Sequence, residues 1–155
     1  MKKPKNVLRL AAYFDPTRDA AVAVAAARKH LKGVDFDTFV ATGLSGATVA
    51  PILARAFHKN VLIIRKHDDR CHDSNPAVGA LGERWVFVDD FISTGSTFER
   101  VLLAVCKLEK DFSFRRPTGG QRAEFVGAFC YGGSYESPSY SPAERLTRYL
   151  ERVAP

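Results

Sequence analysis

Cysteine is scarce in this chain. Cys71, Cys106 and Cys130 are odd in number, far apart and without a Cys-x-x-Cys pair, which argues against a disulfide framework and fits a reducing compartment. Long apolar runs are missing. None approaches the length needed to cross a bilayer, and the opening Met-Lys-Lys-Pro-Lys lacks the apolar core of a signal peptide. A cytoplasmic protein is therefore expected. Dense basic runs are also absent, although the net charge is +6 at pH 7. That balance points to anionic partners, with phosphorylated small molecules ahead of nucleic acid, and to no membrane. No repeat and no internal linker divides the 155 residues, so a single domain spanning 1–155 is expected.

What the chain does have is concentrated between Arg84 and Val105. Trp85 to Val88 is a short apolar run, as in a strand buried on both faces. Asp89 and Asp90 follow it. Ser93, Thr94, Gly95, Ser96 and Thr97 then make a hydroxyl-rich turn, after which Phe98, Val101, Leu102 and Val105 recur at helical spacing. Such a turn offers free N–H groups and a helix dipole to a phosphate. The two carboxylates can accept from paired hydroxyls or hold a divalent cation.

The remaining segments alternate. Val7 to Phe14 reads as a strand or docked arm, stopped by Asp15-Pro16, with Thr17 or Asp15 as cap. Residues 18–32 read as an Ala-rich helix ending in basic residues before Gly33. Phe36 to Thr42 reads as a strand, Gly43-Leu44-Ser45-Gly46 as a turn, and 47–58 as a helix in which Pro51 is tolerable only near the first turn. Val61 to Ile64 is an apolar strand with Arg65 and Lys66 at its end. Residues 67–83 read as a long polar loop. Residues 111–122 read as a surface loop and Glu124 to Tyr131 as a strand. Ser141-Pro142-Ala143-Glu144 opens a last helix ending near Val153. This order predicts an α/β fold with a mostly parallel sheet flanked by helices. Gly43, Arg65 with Lys66, and Asp89 with Asp90 each follow a strand, so they should converge at one sheet edge.

Val86-Phe87-Val88-Asp89-Asp90-Phe91-Ile92-Ser93-Thr94-Gly95-Ser96-Thr97 resembles the phosphoribosyl pyrophosphate (PRPP) signature of type I phosphoribosyltransferases. Ala41-Thr42-Gly43-Leu44-Ser45-Gly46 resembles that family's pyrophosphate loop, and Arg65-Lys66 before a long loop resembles its orotate-type members. The likeness covers residues 36–106 well and the two ends in outline. It implies a phosphoribosyltransferase-like core over roughly 34–131, with a small hood from the N-terminal arm or 132–155. It also implies a homodimer and Mg²⁺-dependent transfer of ribose 5-phosphate from PRPP to a nucleobase, releasing pyrophosphate, in nucleotide salvage. By the same resemblance Asp89 and Asp90 hold the ribose hydroxyls, directly or through Mg²⁺. Ser93 to Thr97 cradle the 5′-phosphate. Thr42, Gly43, Leu44, Ser45 and Gly46 contact pyrophosphate, with Arg65 and Lys66 supplying positive charge.

Three departures narrow the expectation. Ser93 stands where hypoxanthine-guanine enzymes carry an Asp, which turns the resemblance toward orotate-, xanthine- or adenine-like members. Orotate enzymes place a catalytic Lys in the loop, whereas residues 67–83 contain none, so Arg70 or His72 would take that role. Asp-Asp-Phe also occurs in PRPP-sensing repressors of the same fold. A non-catalytic PRPP- or nucleotide-sensing regulator is therefore the alternative. His67, Cys71, His72 and Asp73 are spaced poorly for a closed zinc site and read better as a solvated loop, one able to close over substrate. Phe129, Tyr131, Tyr135 and Tyr140 are candidates to stack on a base.

Overall fold

A computed structural model describes residues 14–16, 18–66, 75–92, 94–111, 122–131 and 134–136. Three helices and six strands lie within them: α1 (Ala20–His30), β1 (Thr38–Thr42), α2 (Gly43–Phe57), β2 (Asn60–Ile64), β3 (Ala77–Gly79), β4 (Arg84–Asp89), α3 (Ser96–Asp111), β5 (Glu124–Cys130) and β6 (Ser134–Glu136). The strands form one sheet in the order β3-β2-β1-β4-β5-β6. Its four central strands run parallel, and the edge strands β3 and β6 are antiparallel. The expected α/β class is thus observed.

Side-chain alternation explains the layers. On β1 and β4, Phe39, Ala41, Val86 and Val88 face α1 and α2, where they pack with Ala27, Val49 and Leu53. Val40, Trp85 and Phe87 face the other way and pack with Phe98, Val101 and Val105 of α3. Every residue of β1 is buried, and so are Trp85 to Asp89 of β4. That is why these segments read as unbroken apolar runs rather than alternating ones. Ala23 and Ala27 are the buried residues of α1, small side chains on the helix that packs against α2.

Asp37 secures the end of the sheet opposite the strand C-termini. Its Oδ2 accepts from the Glu83 and Arg84 backbone N–H groups at 2.7 and 2.9 Å. Its Oδ1 accepts from Thr38 Oγ1 at 2.5 Å, and Thr38 Oγ1 accepts from the Gly82 N–H at 2.9 Å. Residues that would otherwise approach β4 loosely are thereby held in register with β1.

Four expectations need correction. Residues 77–79 form β3, so the polar stretch 67–83 is not loop throughout. Its Ala-Val-Gly run is short and exposed, and pairs through its backbone with Leu62 to Ile64. α2 begins at Gly43, not at 47, because β1 runs directly into it. Pro51 consequently lies inside the helix, where it removes one backbone hydrogen bond. It is exposed, while Val49, Ala50, Leu53 and Ala54 on the other side are buried and hold the helix down. α1 is preceded by Asp19, rather than Thr17 or Asp15, as its N-cap residue. The N-terminal segment before Phe14, all but the two ends of the surface loop expected at 111–122, and the last helix lie outside the described residues.

Candidate functional site

The C-terminal ends of β1, β2, β4 and β5 open on a cavity of about 550 Å³. Its walls include three stretches that the sequence keeps apart: Thr42 to Ser45, Lys66, and Asp89 to Ile92 with Thr94 to Thr97. Two helix N-termini, those of α2 and α3, meet this cavity. Each brings N–H groups with no partner inside the helix and the positive end of a macrodipole.

The α2 end is tightly built. Gly43 has φ +66°, a left-handed conformation that lets the chain turn straight from strand into helix. A Cβ there would also stand 3.1 Å from Lys66 Cε and 3.4 Å from Lys66 Nζ, so the ammonium lies across the Gly43 backbone. A Cβ on Gly46 would stand 2.9 Å from the Val88 carbonyl oxygen and 3.0 Å from the Ala41 Cβ. Gly46 is buried and belongs to this helix–sheet contact, not to the cavity wall. Thr42 Oγ1 donates to the Ile64 carbonyl at 2.8 Å, which ties the ends of β1 and β2 together.

Between the two helix ends stand the acids. Asp89 is buried at the end of β4. Its Oδ1 accepts from the Asp90 N–H at 3.0 Å and from Ser45 Oγ at 3.2 Å. Asp90 Oδ1 accepts from the Phe91 N–H at 2.9 Å. Burial pushes the Asp89 carboxyl above its ordinary range, and the neighbouring Asp90 carboxyl adds to this. The Asp90 N–H and Ser45 hydroxyl act in the opposite direction. At the far side, Thr94 Oγ1 and Ser96 Oγ lie 3.0 Å apart, and the Ser96 N–H points at Thr94 Oγ1 at 3.4 Å. Arg100, one turn into α3, donates to Thr97 Oγ1 at 3.3 Å.

Of the residues expected from sequence, Thr42, Gly43, Leu44, Ser45, Lys66, Asp89, Asp90, Thr94, Gly95, Ser96 and Thr97 line this one cavity. Arg65 does not; its N–H donates to the Pro76 carbonyl at 2.9 Å, as part of the β2–β3 edge. Ser93, Arg70 and His72 lie outside the described residues, as do His67, Cys71, Asp73 and Tyr140. Phe129 is fully buried in the core and is excluded as a base platform. Tyr131 does line the cavity. Its ring meets Phe14 edge-on at 5.5 Å, and its hydroxyl is buried with no hydrogen-bond partner among the described residues. Burial, then the charges of Asp90 and Asp89, push the Tyr131 phenol up to about 12, with Ser45 acting the other way.

Thr48 and Phe14 were not foreseen as wall residues. Thr48 sits one turn beyond Leu44 on the same face of α2 and could have been found from that spacing, as its hydroxyl bonds the Leu44 carbonyl at 2.6 Å. Phe14 arrives from a distant segment and left no local signal. Leu44 and Phe91 are 86% and 59% exposed and give the cavity an apolar rim.

Among the described residues there is no cluster of three or more His, Cys, Asp or Glu side chains suited to a metal, and no helix is long and apolar enough to cross a membrane. Two adjacent carboxylates on a cavity wall nevertheless suit Mg²⁺. That ion keeps several waters and commonly takes only one or two protein carboxylates beside substrate phosphates.

No protein-family model matches the chain, and no curated protein matches it. Solved structures do. The orotate phosphoribosyltransferase of Mycobacterium tuberculosis in complex with inorganic phosphate is 20% identical, at a TM-score of 0.46, over 72% of this chain and 56% of that one. The orotate phosphoribosyltransferase of Francisella tularensis is 14% identical, at 0.49, over 90% and 65%. The adenine phosphoribosyltransferase of Rhodothermus marinus is 18% identical, at 0.49, over 70% and 63%. The chain thus spans 56 to 65% of the length of these neighbours. At such values the likeness is one of general shape, and function has to come from the cavity's own residues.

Proposed function

We propose that this cavity binds PRPP and that the protein transfers its ribose 5-phosphate to a nucleobase, releasing pyrophosphate. One observation carries the reading: an acid pair stands between two helix N-termini around a single cavity. A ligand complementary to it has an anionic group at each end and hydroxyls in between. PRPP has that pattern, with a 5′-phosphate, a ribose diol and a pyrophosphate.

In this reading Thr94 to Thr97 and the α3 N-terminus hold the 5′-phosphate. The Asp89 and Asp90 carboxylates accept from the ribose hydroxyls and would hold Mg²⁺. Thr42 to Ser45 at the start of α2, with Lys66, hold the pyrophosphate. When bound, Mg²⁺ supplies neutralisation of the charge that gathers on the leaving pyrophosphate. The protein's own part is to clamp both ends of the substrate, so that C1′ is held in line between leaving group and base. Fixed N–H dipoles and the Lys66 ammonium then meet the charge that develops as the C1′–O bond breaks. No side chain need act as a nucleophile. Arg70 and His72 are proposed as the loop groups that assist.

The direct test is a coupled assay of pyrophosphate release with PRPP, Mg²⁺ and a panel of purine and pyrimidine bases. Turnover with at least one base is expected. PRPP binding without turnover on any base would replace the enzyme by a PRPP-sensing regulator.

A further inference from the structure

Arg100 stands where helix electrostatics argue against a cation. The basic residues of α1 and α2 noted at their ends are Arg28, Lys29 and His30 in one last turn and Arg55 in the other. There they meet the negative end of the helix dipole. Arg100 lies one turn from the start of α3, toward the positive end. It is exposed, and among the described residues no carboxylate forms an ion pair with it. Its neighbour Glu99 is buried, on a different face of the helix. A charge set against its own helix, with no ion pair to offset it, is a local conflict of the kind that marks functional positions.

What the side chain reaches explains the placement. Helical side chains lean toward the N-terminus, and the Arg100 guanidinium reaches back to donate to Thr97 Oγ1 at 3.3 Å. A guanidinium has no acceptor, so the Thr97 oxygen accepts and its own proton is left for another partner. Among the described residues no other hydrogen bond engages that hydroxyl. Thr97 is half-buried and lines the cavity, whereas Arg100 does not. The cavity wall thus carries an O–H donor beside the N–H groups of the first turn of α3, backed by a full positive charge. An anionic oxygen complements that set.

Building on the PRPP reading above, we propose that Arg100 is a positioning residue for the 5′-phosphate. It acts through Thr97, holding the hydroxyl as a donor to a phosphate oxygen at the α3 end and strengthening that donor with its charge. Lys66 serves the α2 end in the same reading, so each anionic end of the ligand has its own cation.

Calorimetric titration of ribose 5-phosphate and, separately, inorganic pyrophosphate, each with Mg²⁺, tests this. The proteins are wild type, Arg100→Gln, Arg100→Lys, Thr97→Val and the Arg100→Gln, Thr97→Val double variant, and each is also melted thermally. Arg100→Gln is expected to bind ribose 5-phosphate about tenfold more weakly, with pyrophosphate affinity unchanged. Its Tm should be unchanged or higher, because a cation opposed to the helix dipole is gone. Arg100→Lys should recover part of the loss. In the Thr97→Val background, Arg100→Gln should cost little more. Equal ribose 5-phosphate affinity in wild type and Arg100→Gln would overturn the role of Arg100 and leave the PRPP reading standing. A full tenfold further loss in the Thr97→Val background would overturn the route through Thr97. Similar weakening of both ligands with a lower Tm would overturn the proposal by revealing a purely structural residue. Failure of wild type to bind either ligand would overturn the PRPP reading itself, and this inference with it.

Discussion

Asp89 is a side chain placed at a cost to the fold. It is buried beside a second carboxylate, and its pKa lies above the ordinary value of 3.8 because of that burial. The folded protein therefore binds its proton more tightly than the unfolded chain does. Stability linked to this group is greatest below the unfolded value, and falls as pH rises through the folded one. Asp89→Asn should accordingly raise Tm at neutral pH. The gain should shrink as pH falls through the raised pKa and vanish below 3.8. Melting curves across that range check it; a substitution that lowers Tm at neutral pH would show the carboxylate to be structural. Gly46 shows the opposite dependence. A Cβ there meets the Val88 carbonyl oxygen at 2.9 Å, a backbone atom that cannot swing aside. Gly46→Ala should destabilise by about 1–3 kcal/mol through overpacking, read in denaturant titrations. It should also weaken pyrophosphate binding, since α2 must shift away from β1.

At the scale of elements, the site depends on how strands hand over to helices. β1 enters α2 without a connecting loop, and β4 reaches α3 through the short turn after Asp90. The start of α2 is therefore fixed relative to the sheet, while burial of Phe98 and Val101 beside Trp85 and Phe87 holds the start of α3. β4 is in turn held at its other end by the Asp37 bonds to Glu83 and Arg84. Asp37→Ala removes charged acceptors from two backbone N–H groups and should cost about 2–4 kcal/mol. Because it acts at the far end of the sheet, PRPP affinity at a temperature where the variant is folded should stay near wild type. Thermal melting and calorimetry separate the two effects. These elements also show what could be read in advance. Trp85 to Val88 and the Phe98, Val101, Leu102, Val105 spacing are strong because both faces of β4 and one face of α3 are buried. The start of α2 was misplaced because Gly43 and Gly46 look like turn residues in sequence. In three dimensions one turns the backbone and the other admits the sheet. β3 was missed because its side chains are largely exposed and carry no periodic signal, and only its backbone pairing makes it a strand.

For the molecule as a whole, parallel order in β2, β1, β4 and β5 brings the ends of those strands to one edge. That rule was enough to foresee that Thr42 to Ser45, Lys66 and the acid pair would meet. It could not foresee Phe14 or the position of the Tyr131 hydroxyl, which depend on packing between segments far apart in sequence. Nor could it separate Arg65 from Lys66, since which neighbour faces the cavity is set by the strand pairing at that edge. In the proposed reading, Asp89 and Asp90 at the middle of this assembled cavity are the groups that hold PRPP. Calorimetric titration of PRPP with Mg²⁺ into wild type and into the Asp89→Asn, Asp90→Asn double variant measures it most directly. Saturable binding to wild type and a loss of at least about tenfold in the double variant are expected, with both proteins folded by circular dichroism. Equal PRPP affinity in the two folded proteins would contradict it.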